Sequence, residues 1–93
     1  MILNITGDGV EGLPLNTVEY HVVISGVFGG ATLSFEIAGE DGLAWLVEAT
    51  YTSADHFTLR CVKEHDYRFT VTGATGTTNI NVSYNELGEQ YID

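Results

Sequence analysis

Alternation of apolar and polar residues runs through most of this chain, and it predicts strands. Val18, Tyr20, Val22 and Ile24 take one phase, with Glu19, His21, Val23 and Ser25 in the other. Ala31, Leu33, Phe35 and Ile37 alternate with Thr32, Ser34 and Glu36, and Leu43, Trp45 and Val47 make the next apolar set. Phe57, Leu59 and Cys61 follow, then Tyr67, Phe69 and Val71, and finally Ile80, Val82 and Tyr84. A period of two is the signature of half-buried strands. With a short opening strand near Ile2–Thr6, the pattern predicts about seven strands.

The punctuation between these runs is that of turns. Gly39-Glu40-Asp41-Gly42 reads as a tight hairpin loop, because Asp-Gly tolerates the positive φ such turns require. Lys63–Asp66 is a second short polar turn, while Gly26–Gly30, Gly73–Thr78 and the stretch Gly7–Asn16 read as longer connections. Short strands at this spacing, with no run of helical period, predict an all-β fold: a single antiparallel β-sandwich, Ig-like or jelly-roll-like, over residues 1–84. Residues 85–93, "NELGEQYID", leave the pattern and read as a C-terminal tail.

Composition agrees with one domain. Ninety-three residues leave no room for a second core, and 44% hydrophobic residues supply enough apolar surface to fold. Thirteen acidic residues against three basic ones give a net charge of −10. Such a surface repels polyanions, so neither nucleic acid nor an anionic membrane is expected as a partner. Acidity serves solubility in one reading and cation binding in the other. No apolar run approaches membrane-spanning length, and Met1 opens without a basic or long apolar leader, so the chain reads as a small product made and folded in the cytosol. Cys61 is the single cysteine and alternates inward with Phe57 and Leu59.

The chain offers little chemistry. His21, His56 and His65 fall in separate elements without zinc-ligand spacing, and Asp8, Glu11, Glu40 and Asp41 form no Ca²⁺-loop array, so no metal and no cofactor are expected. No nucleophile elbow or phosphate-binding loop opening a helix is present, and no enzyme activity is expected. Trp45, in phase with Leu43 and Val47, is expected in the core, with an exposed sugar-stacking platform as the alternative. The outward phases carry more apolar side chains than solubility needs: Val23, Ala44, Leu46 and Val62, with Val27 and Phe28 on a connection. Contiguous apolar surface marks contacts, so these residues predict a protein interface.

One stretch carries a resemblance. "VVISGVFGGATLSFEIAGEDGLAWLVEATY" followed by "FTLRCVKEHDYRFTVTGATGTTNINVSY" resembles small virion proteins of tailed bacteriophages, through Ser25, Gly26, Phe28, Gly29, Gly30 and Ala31, then Asp41, Gly42 and Trp45, then Tyr67, Arg68, Gly73 and Gly76. The likeness spans roughly residues 18 to 84. It implies a β-sandwich that decorates or cements the outside of the head, as a homotrimer bound to the major capsid protein. The location it implies is the exterior of the capsid, after synthesis in the bacterial cytoplasm. Another virion component (a head-fibre base, head–tail connector or tail protein) and a carbohydrate- or receptor-binding module on the particle are the alternatives. Part of the set Val23, Ala44, Leu46, Val62 and Phe28 is then expected to lie against a neighbouring copy in the oligomer, and Tyr91 and Ile92 of the tail to dock on the capsid.

Overall fold

The computed structural model describes residues 2–13, 19–38, 44–60 and 65–86. They form eight strands: β1 (Ile2–Ile5), β2 (Gly9–Gly12), β3 (Glu19–Val27), β4 (Thr32–Ala38), β5 (Trp45–Tyr51), β6 (Asp55–Arg60), β7 (Asp66–Thr72) and β8 (Asn79–Glu86). Two four-stranded antiparallel sheets result, ordered β1-β8-β3-β6 and β2-β7-β4-β5, packed as a sandwich. We refer to them as the first and second sheet.

The pairing has a simple rule. β1 pairs with β8, β2 with β7, β3 with β6 and β4 with β5, each strand meeting its counterpart counted from the other end of the chain. The pairs β3–β8 and β4–β7 then join these ladders into the two sheets. This is the jelly-roll arrangement, one long hairpin rolled into two layers. It decides between the two sandwich topologies that the alternation allows.

The core follows the period-two phases. Val22 and Ile24 of β3, Leu33 and Phe35 of β4, Phe69 and Val71 of β7, and Ile80, Val82 and Tyr84 of β8 are all buried between the sheets. Phe35 is the centre of an aromatic cluster, with ring centroids 5.2 Å from Phe57, 5.2 Å from Phe69 and 5.8 Å from Tyr67. Leu59 is buried as expected, whereas Ile37 is only half-buried. β8 continues through Asn85 and Glu86, so the sandwich extends two residues past the boundary expected at residue 84. The extra strand relative to the expected seven is β2, inside the stretch read as a loop. All four of its residues are exposed, so no inward phase marked it.

Phe28 departs from expectation. The sequence pattern places it at the surface on a connection, but it is 7% exposed and belongs to the core cluster. The backbone around it explains why. The Phe28 carbonyl accepts hydrogen bonds from the Ala31 N–H at 3.0 Å and from Thr78 Oγ1 at 2.9 Å, and Thr75 Oγ1 donates to the Gly29 carbonyl at 2.9 Å. The turn Phe28–Gly30 is thus bolted to Gly73–Thr78, and its aromatic ring joins the core cluster. Both segments belong to the motif that carries the resemblance, so these motif residues serve the fold.

Candidate functional site

The outer face of the first sheet is set by register. Ile2, Ser83, Val23 and His56 stand opposite one another in one row across β1, β8, β3 and β6. Asn4, Asn81 and Ser25 form the row on one side, and Asn85, His21 and Thr58 the row on the other. The Asn4 side-chain amide donates to Asn79 Oδ1 at 2.6 Å and to Asn81 Oδ1 at 2.9 Å, fixing a small amide network across the β1–β8 ladder. Val23 and Val27 are exposed on this face, as Ile2 is. The charged side chains among its described outward positions are Glu19 and Arg60, which face each other with a 3.6 Å ion pair at one end. In a chain of net charge −10, the three central rows of this face thus carry no charged side chain, and Asp55 borders them at the β6 edge.

The second sheet's outer face is different. The Glu36 carboxylate accepts hydrogen bonds from Arg68 Nε at 2.5 Å and from Thr70 Oγ1 at 3.1 Å. The Arg68 guanidinium in turn lies 4.0 Å from the centre of the Trp45 ring, a cation–π contact. Trp45 is half-buried and stands opposite Ala38, in the same phase as Arg68 and Glu36. Its expected place in the core is thus corrected: Trp45 is on the outside. The cause is a β-bulge. Phe35 faces Ala49 but the next residue, Glu36, faces Val47, leaving Glu48 without an opposite number. One extra residue inverts every side chain before it.

The same inversion places Leu46 opposite Ile37 and Tyr67, in the inward phase. Leu46 is nevertheless 68% exposed, at the start of edge strand β5. Val47 beside it is 55% exposed. Of the residues expected at an interface, Val23 and Leu46 are at the surface on different sheets, Ala44 is exposed just before β5, and Phe28 is withdrawn into the core. Val62, Tyr91 and Ile92 lie outside the described residues, as do Cys61, Val18, Leu43 and the Gly39–Gly42 turn. The uncharged row structure of the first sheet was missed at the sequence level. Its signal was present in the outward Asn, Ser and Thr residues of β8, β3 and β6, read there only as the polar half of an alternation.

His21 and His56 also meet on this face, with ring centroids 5.4 Å apart and a 41° tilt. They border a shallow open groove with Val23, Ser25, Ala54 and Asp55. Among the described residues there is no group of three or more His, Cys, Asp or Glu placed to hold a metal ion.

Comparison of the chain with protein-family models, with curated proteins and with solved structures finds no match.

Proposed function

We propose that this chain is a non-enzymatic bacteriophage structural protein: a decoration or cement protein that binds the major capsid protein on the outside of the head as a homotrimer. The observation that carries the reading is the sparsely charged, Asn- and Ser-rich outer face of the first sheet, whose central rows hold no charged side chain in a strongly acidic chain. Interface centres are depleted of charge, while a face meant only for solvent in such a chain has no reason to be. The sequence resemblance to small virion proteins supports the reading independently. The jelly roll supports it by analogy of fold, since that architecture recurs in viral capsid and lectin domains.

The second reading, a carbohydrate-binding module, draws on Trp45, whose indole lies on the outer side of the second sheet and borders a groove with Gly12, Leu13, Asp66 and Tyr67. An aromatic ring beside polar groups is the usual furniture of sugar recognition, although Arg68 already covers part of this one.

Val23→Asp, Leu46→Asp and Trp45→Ala separate these surfaces. Each variant is checked for folding by circular dichroism, for mass by sedimentation velocity, and for retention on particles of the phage that encodes it. Val23→Asp is expected to lose retention about tenfold or more while remaining folded, because it buries a charge in a contact face. Loss on Leu46→Asp alone moves the contact to the β5 edge, loss on Trp45→Ala alone moves it to the outer face of the second sheet, and binding to a glycan array that Trp45→Ala abolishes supports the carbohydrate reading. Absence of the protein from purified virions overturns the proposal.

A further inference from the structure

The histidine pair on the first sheet suggests a specific chemistry. Val23 faces His56 and His21 faces Thr58, so the two imidazoles are diagonal neighbours on adjacent strands β3 and β6. Neither lies on a loop: each side chain is set by a hydrogen-bonded ladder whose inward residues Val22 and Leu59 are buried in the core. A tetrahedral ion about 2.0–2.1 Å from one nitrogen of each ring holds the two ring centres roughly 5 Å apart. The observed separation is 5.4 Å, with the rings tilted rather than stacked. One ion can span a separation of this size, and the pairing of β3 with β6 already brings the two rings together.

We propose that His21 and His56 form a two-histidine site for a divalent transition-metal ion of the Zn²⁺, Ni²⁺ and Cu²⁺ class. Imidazole suits these metals and is a poor ligand for Ca²⁺ or Mg²⁺. The remaining coordination positions face the open groove and are filled by water. Asp55 lines the same groove, with one carboxylate oxygen accepting the His56 backbone N–H at 2.7 Å, so its charge favours a cation nearby. The other groups packed around the pair are the Thr58 and Asn85 side chains, which are neutral, and the Glu19–Arg60 ion pair farther along the same face. The net charge of −10 adds a general attraction. This inference does not rest on the proposed virion role, and its tests need no particle.

Calorimetric titration of the full chain with NiCl₂ or ZnCl₂ near neutral pH is expected to show one saturable site per chain. His21→Ala and His56→Ala are each expected to weaken it about tenfold or more, because each leaves a single imidazole, while His65→Ala leaves it unchanged. Nuclear magnetic resonance gives a second readout on the unaltered protein: substoichiometric Cu²⁺ broadens the ring protons of His21 and His56 before those of His65. No binding up to about 1 mM metal, equal affinity in the single variants, or first broadening at His65 would each overturn the proposal.

Discussion

Two glycines show how narrowly individual positions are specified. Gly26 has φ of +104° and Gly29 has φ of +60°, both in the left-handed half of backbone space that L side chains rarely enter. Space is also closed to them: a Cβ at Gly26 would run into the Asn79 carbonyl, and one at Gly29 would lie 2.6 Å from Thr77 Oγ1 and 2.7 Å from Thr75 Oγ1. Gly7 has neither a positive φ nor an atom within 4 Å of its would-be Cβ. Gly26→Ala and Gly29→Ala are therefore expected to destabilise by at least about 1–3 kcal/mol, with Gly7→Ala near neutral, as read by urea denaturation. Losses of equal size at all three would remove the packing explanation. At this scale much was legible, because Leu33, Phe35, Phe69 and Val82 are inward wherever the alternation put them. Phe28 was not, since its burial depends on hydrogen bonds from Thr78, fifty residues away in the chain.

Among the elements, β5 is where local pattern and structure part. Read alone, Leu43, Trp45 and Val47 continue the inward phase of Tyr51, and nothing in the residues announces an insertion. The bulge at Glu48 exists only relative to β4, so a reading of one strand at a time has no means of finding it. His21 and His56 were hidden for the same reason, since adjacency of β3 and β6 is a fact of topology. Trp45 is the chain's single tryptophan, so its fluorescence reports on this one strand. Its emission is expected to be red-shifted from that of a core tryptophan and open to acrylamide quenching, and Arg68→Ala should increase the quenching by uncovering the ring. Trp45→Ala is expected to cost about 1–2 kcal/mol, against about 3–5 kcal/mol for Phe69→Ala in the core. A blue-shifted emission that acrylamide does not reach would restore the inward phase and remove the bulge.

For the molecule as a whole, alkaline pH is a direct probe of how the two layers hold together. Burial pushes the Tyr51 and Tyr84 hydroxyls above their ordinary range, with Asp55 adding to the effect at Tyr51 and Tyr20 at Tyr84. A raised folded-state value means that the fold favours the neutral phenol. The resulting stability is fully present below the unfolded value of about 10 and is lost as pH rises through the higher folded value. Denaturation midpoints are expected to fall above about pH 10, and Tyr51→Phe and Tyr84→Phe should each make that fall shallower. Unchanged profiles in both variants would mean that other groups carry the alkaline loss. The nested pairing of the roll has a consequence of another kind, in the time domain. β4 and β5 are neighbours in the chain, whereas the β3–β6, β2–β7 and β1–β8 ladders enclose progressively longer loops. Each outer ladder costs more closure entropy than the one inside it unless the inner one has already formed. The roll thus favours zipping from its middle outwards, at the slow rates of topologies dominated by distant pairings. The four-residue strands β1 and β2 close last and, having few bonds to break, open first. The beginning of the chain is the latch of the sandwich, and the exposed edges of β7 and β8 are what its release would uncover.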